Sequence, residues 1–314
     1  MMISAKKFNW KRISCIIIAF FILFSAVSLV VTKVIYDSIF SRYDDSVAVP
    51  DQLSQLVDSR SIHKVDSDGT ELAGYFYPAD DHAAAHGLIV LVPGFHAGGD
   101  SYLWQIQSLV DYGWAVFTFD VTGTFRSGGE DQVGFPQPLL DLKSVLKYVE
   151  NCGNFGYNNI VLMGHSQGCY AVCFALAQEQ DVAAVVCISG VNSAMEAVMH
   201  MSSDAIGPIA YGNYGYLWLY QRMLFGDTLQ LQAAEAIDQS DVPVLLVHGT
   251  MDEQVPMDKC SVISHREEIT STQVEYLLCP AGHTDLLYDA DGTANDALME
   301  SIQDFLLRSL AQTS

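Results

Sequence analysis

The segment Asn159 to Ala177 constrains the fold more than any other part of the chain. An apolar run, Ile160-Val161-Leu162-Met163, enters Gly164-His165-Ser166-Gln167-Gly168 with no spacer, and helix-forming residues follow from Cys169. A chain that leaves a buried strand and starts a helix so abruptly must turn sharply. The residue at the apex is then strained, and its near neighbours have no room for a Cβ. Gly164 and Gly168 meet that demand and leave Ser166 at the apex. The alternative is a tight turn in which the serine has no chemical role.

The rest of the body fits a sheet covered by helices. Ile62-His63-Lys64-Val65, Asp66-Ser67-Asp68-Gly69 and Glu71 to Tyr77 read as strand, turn and strand, an antiparallel hairpin. From Gly87 onward, apolar runs alternate with helix-length segments, the pattern of buried parallel strands and crossover helices. The runs are Leu88–Val92, Ala115–Phe119, Ile160–Met163, Val182–Ile188, Val242–Val247 and Val274–Leu278. Helices are expected over Tyr102–Leu109, Leu139–Val149, Ser166–Ala177, Met257–Glu268 and Ala294–Leu310. Together these predict an α/β fold with a mostly parallel eight-stranded sheet, helices on both faces, and one domain from residue 60 to 314. About fifty residues separate the strand ending at Ser189 from the one starting near Val242. That is too long for a crossover, and residues 190–240 are expected to form a helical lid over the strand ends.

Ile13 to Val31 is nineteen residues without a charge, enough for a helix to cross roughly 30 Å of hydrocarbon. Lys6, Lys7, Lys11 and Arg12 precede it, and only Lys33 and Arg42 follow closely. The positive-inside bias therefore predicts a basic cytoplasmic tail (1–12), a signal anchor (13–31), a juxtamembrane connector (32–59) and an extracytoplasmic body. The rival reading is a cleaved signal peptide, for which Ser25-Ala26-Val27-Ser28 is a poor site. Both readings export the body. The net charge of -22 repels phosphate backbones and anionic headgroups, which argues against a nucleic-acid partner and against electrostatic membrane binding by the body. Cys169, Cys173 and Cys187 read as buried free thiols, and no cysteine spacing matches a metal site or a disulfide framework. His82 and His86 stand four apart beside Asp80 and Asp81, but in a segment that reads as loop, so no metal is expected there either.

A serine hydroxyl attacks only when a base takes its proton and a carboxylate orients that base. Asp252 and His283 each follow a strand, in Val247-His248-Gly249-Thr250-Met251-Asp252-Glu253 and Pro280-Ala281-Gly282-His283-Thr284-Asp285. Their chain order of serine, acid and histidine is the one this architecture requires, and strand carboxyl ends are where an open sheet places its site. Glu253 competes with Asp252 for the acid. His63, His82, His86, His200 and His265 lose to His283 on position, while His165 and His248 sit beside functional positions. Oxyanion donors are expected at the backbone N–H groups of Gln167 and of Phe95, in Pro93-Gly94-Phe95-His96-Ala97-Gly98-Gly99. Trp218, Tyr216 and Met199 are candidate substrate contacts, drawn from an apolar stretch that equally serves to pack the lid.

With the loop Phe119-Asp120-Val121-Thr122-Gly123-Thr124-Phe125-Arg126-Ser127-Gly128-Gly129, of pattern D-x-x-G-x-x-x-S-x-G, these motifs resemble the α/β-hydrolase superfamily, in its serine aminopeptidase-like and monoacylglycerol lipase-like branch. The resemblance covers residues from about 60 to the end. Where many relatives carry His-Gly, this chain has Pro93-Gly94. The resemblance implies hydrolysis of an ester, thioester or amide without a cofactor. The leading expectation is an esterase acting on a small-molecule ester with a small or medium apolar acyl group. The runner-up is a peptidase acting on short peptides, with Glu196, Asp204 or Asp227 anchoring a free amine. A non-catalytic tethered binding protein is the third reading, against which the intact Ser166, Asp252 and His283 argue. Nothing in the sequence sets an oligomeric state.

Overall fold

The apolar runs become strands because each is flanked by segments that pack helices on both of its faces. In β5 (Ile160–His165), Leu162 points into one layer with Leu139, Leu142 and Val172, whereas Val161 and Met163 point into the other with Ile106, Ile302 and Phe305. The two-residue period of a strand divides the apolar run between two cores. The computed structural model describes residues 10–45, 47–178 and 181–313. Lys6 and Lys7 of the basic tail lie outside them.

The hairpin is β1 (Ser61–Ser67) and β2 (Thr70–Tyr77). The remaining strands are β3 (Gly87–Val92), β4 (Trp114–Phe119), β5, β6 (Ala184–Ile188), β7 (Val244–Gly249) and β8 (Val274–Cys279). They form one sheet in the order β1-β2-β4-β3-β5-β6-β7-β8. The hairpin strands are antiparallel, β2 pairs antiparallel with β4, and every other pairing is parallel. This is the expected α/β-hydrolase sheet.

An N-terminal helix α1 (Trp10–Ile39) is followed by the short α2 (Ser54–Ser59). The body helices are α3 (Leu103–Asp111), α4 (Gln137–Asn151), α5 (Gln167–Ala177) and α9 (Asp296–Thr313). The lid contains α6 (Ala194–Ile206), a 3-10 segment (Gly207–Asn213), α7 (Tyr214–Phe225) and α8 (Ala233–Asp238). Ser193 caps α6 by accepting from Glu196 N, and Gly207 ends it at a positive φ of 71°.

The helix expected over Met257–Glu268 is absent except for a 3-10 turn at Val262–His265. Its backbone is engaged elsewhere: Val262 N donates to Gly190 O at 3.0 Å, and Cys260 O accepts from Asn192 N at 2.9 Å. α1 does not stop at Val31 but continues to Ile39. Ser41 and Tyr43 then form β-bridges to Asp131 and Thr124. The Arg42 guanidinium donates to the carbonyls of Phe125, Ser127 and Gly129. The first residues after the helix are therefore bound to the body and do not form a free tether.

Candidate active site

Ser166 lies between β5 and α5 at φ 55°, ψ -117°, a conformation that L-residues adopt only under constraint. The constraint is steric. A Cβ on Gly164 would meet Gly168 O at 2.4 Å, and one on Gly168 would meet Val92 O at 2.2 Å. β3, the turn and α5 are thus in backbone contact, and Ser166 N is fixed by donation to Ile188 O at 2.8 Å.

Asp252 follows β7 and His283 follows β8. The structure brings their side chains together, with His283 Nδ1 at 2.7 Å from Asp252 Oδ2. Asp252 Oδ1 accepts from the N–H groups of Gln254 at 3.0 Å and Val255 at 2.8 Å. Burial alone would raise the Asp252 carboxyl, but the His283 hydrogen bond, the Val255 N–H and nearby His248 outweigh it and hold it below the usual carboxylate range. Glu253, the rival acid, is exposed. Ser166 and His283 line one cavity of about 220 Å³ with Phe95, Phe135, Val191, Met201 and others. Among the described residues no hydrogen bond joins Ser166 to His283. Such bonds tighten when substrate is present.

Two histidines that the sequence placed beside functional positions support the arrangement. His165 is buried, and its Nε2 faces His283 O at 3.3 Å. Its Nδ1 lies 2.9 Å from the Tyr102 hydroxyl, which accepts from Gly94 N at 3.0 Å. One tautomer satisfies this chain: Tyr102 donates to Nδ1 and Nε2–H donates to the carbonyl. Burial, and then the neighbouring His283, push His165 down to about 3, so it stays neutral. His248 Nε2 lies 2.9 Å from Val255 O, steadying the loop that carries Asp252.

The backbone N–H groups of Phe95 and Gln167 have no acceptor among the described residues. Gln167 opens α5, where the first N–H groups of a helix lack an internal partner. Gly94 brings the other close, since a Cβ there would lie 3.2 Å from Ser166 Cβ. The Phe95 loop is braced by Asp120, whose Oδ1 accepts from Gly99 N at 3.0 Å and whose Oδ2 accepts from Tyr75 at 2.7 Å. Ser127 in turn donates to Asp120 O at 2.6 Å.

Trp218 and Met199 do not line the Ser166 cavity. They line an adjoining one of about 520 Å³, and the two cavities share His200 and Cys260. Tyr216 lines neither cavity: its hydroxyl lies 3.0 Å from Ser25 Oγ in α1. The reason is helical phase. Tyr214 and Trp218, four apart, share the cavity face, and a residue midway between them points to the opposite side. Sequence reasoning did not single out Phe135 or Cys260 as wall residues, and no local pattern marks them.

A family model described as the prolyl oligopeptidase family matches residues 100–313. The chain belongs to that family. Together with the fold, this makes it a serine hydrolase of the α/β-hydrolase superfamily. The uncharacterized protein YfhR of Escherichia coli strain K12 is 26% identical over 312 residues, covering 96% of each chain. Among solved structures, the Pyrococcus furiosus esterase Pf2001 superposes with a TM-score of 0.63 at 17% identity, over 86% of this chain and 98% of that one. Est1E from Butyrivibrio proteoclasticus with bound ferulic acid gives 0.60 at 20% identity, over 79% and 99%. Pyrococcus horikoshii acylaminoacyl peptidase gives 0.60 at 15% identity, over 80% of this chain and 41% of that one. At these identities the neighbours speak to the fold alone. The match supports the α/β-hydrolase superfamily read from the motifs.

Proposed function

We propose that this prolyl oligopeptidase family member is a membrane-anchored, extracytoplasmic hydrolase of carboxylic esters with small or medium apolar acyl groups. Ser166 Oγ attacks the ester carbonyl while its proton passes to His283 Nε2, the nitrogen left free when Nδ1 is held by Asp252 at 2.7 Å. The negative charge that develops on the carbonyl oxygen is met by the N–H groups of Phe95 and Gln167. His283 then protonates the departing alcohol, and the acyl-enzyme is hydrolysed by water activated at the same nitrogen. No step requires a cofactor.

The observation that carries the ester reading is the cavity at Ser166. About 220 Å³ is walled by Phe95, Phe135, Val191, Ala197, Met201 and Val255. A cavity of that size and character accepts a short apolar chain, each buried CH₂ contributing about 0.8 kcal/mol. The esterases Pf2001 and Est1E share the fold. The second reading, a peptidase, rests on Asp204, an acid in the same wall. A panel of p-nitrophenyl esters and aminoacyl-anilides separates the two. The ester reading expects kcat/KM to rise over the first few acyl carbons and then fall once the cavity is full. Faster cleavage of the anilides, with no dependence on acyl length, supports the peptidase instead.

A further inference from the structure

The lid and the apolar helix are one packed unit. Asn213 Nδ2 donates to Thr32 Oγ1 at 2.8 Å, Tyr36 is buried and donates to Gln221 Oε1 at 3.2 Å, and the hydroxyls of Ser25 and Tyr216 lie 3.0 Å apart. Ser25 stands six residues inside the C-terminal end of the run Ile13–Val31, about 9 Å along the helix axis at about 1.5 Å per residue. That run is only just long enough for a hydrocarbon layer of about 30 Å. If it spans, Tyr216 reaches α1 below the level of the headgroups, and this part of the lid cannot stand clear of the bilayer.

The composition of the lid agrees with that depth. Ala205 to Gln221 carries no charged residue in a chain with 37 Asp and Glu, and charges resume on either side at Asp204 and Arg222. Within the stretch Ile206, Ile209, Tyr211, Tyr214 and Trp218 are exposed, Ile209 at 75%. An exposed apolar patch rimmed by charge marks a contact surface, and Tyr and Trp concentrate at the level of lipid headgroups. Tyr211, Tyr214 and Trp218 also line the 520 Å³ cavity that adjoins the Ser166 cavity at His200 and Cys260.

We propose that Ala205–Gln221 is seated in the bilayer interface beside α1, and that the active site takes its ester from the lipid phase through the cavity beneath Trp218. The substrate class is then an amphiphilic ester whose acyl chain partitions into the membrane. This rests on the ester reading and on α1 crossing the membrane. Adding Ile209→Trp to the full chain in neutral phosphatidylcholine vesicles tests the seating. The added emission is expected to be quenched by lipids with a nitroxide near the headgroup and shielded from aqueous iodide. Ile209→Glu is expected to lower turnover of a long-chain ester dissolved in the vesicles at least tenfold, leaving flotation with vesicles and turnover of a water-soluble short ester unchanged. Quenching by iodide and not by lipid overturns the proposal, as does equal turnover of the dissolved ester by Ile209→Glu and the native chain. In those cases flotation and soluble-ester turnover persist. Failure of the native chain to float removes the spanning helix as well, and absence of any ester turnover removes the ester reading; either overturns the proposal along with its premise.

Discussion

Asp252 and Glu253 are adjacent carboxylates in very different surroundings. Asp252 is buried, bonded to His283 at 2.7 Å and to two backbone N–H groups, whereas Glu253 is exposed. Asp252→Asn is expected to reduce kcat/KM on the order of 10⁴-fold, since the amide favours the wrong imidazole tautomer. Glu253→Gln is expected to leave it within about twofold of native, its carboxylate having no hold on the imidazole. Steady-state rates on a p-nitrophenyl ester decide, and the reverse ranking moves the acid by one position. His165 gives a pH signature. Its folded value of about 3 lies below the ordinary value near 6.5, so the unfolded chain binds the extra proton between those limits. Its contribution to stability is present above about pH 6.5 and is lost as pH falls toward 3. Urea titrations of the detergent-solubilised chain at pH 7 and pH 5 are expected to show a loss that shrinks in His165→Asn. An equal loss in both proteins would mean that His165 is not held neutral.

At the scale of elements, the β5 to α5 turn was legible because its demands are local. A strand, two glycines and a helix in immediate succession leave few other conformations. Gly168→Ala is expected to destabilise the body by about 1–3 kcal/mol, because the new Cβ meets the Val92 carbonyl at 2.2 Å. In Gly212→Ala, where a Cβ meets nothing within 4 Å, the change is expected to stay within about 0.5 kcal/mol. Equal denaturation midpoints for the two variants would contradict the packing argument. Other elements were hidden because their causes lie far off in the chain. The Met257–Glu268 segment has a helical pattern, yet its backbone groups are taken by Gly190 and Asn192. The gathering of Cys169, Cys173 and Cys187 sulfurs within 4.8 Å of one another depends on β6 packing against α5. Tyr102 reaches His165 across 63 positions. The continuation of α1 was readable and missed: Thr32, Ile35, Tyr36 and Ile39 fall at helical spacing, and all four face the lid at a small apolar cleft.

At the scale of the whole molecule, an acidic body, an apolar helix and a lid packed on that helix make one arrangement in which the apolar helix and the cover of the candidate site are continuous. Chain order alone singled out Asp252 and His283 at successive strand ends, and the structure brings their side chains within 2.7 Å of each other. The lid's contacts with α1 required the structure. The most direct test of the account is covalent. The intact chain is treated with a fluorophosphonate, digested, and the adduct is mapped by mass spectrometry. One phosphonyl group is expected, on the peptide containing Ser166, with labelling slowed at least 10³-fold in His283→Ala because the hydroxyl loses its base. No adduct, an adduct on another residue, or labelling at the native rate in His283→Ala would contradict the assignment of Ser166 as a nucleophile activated by His283.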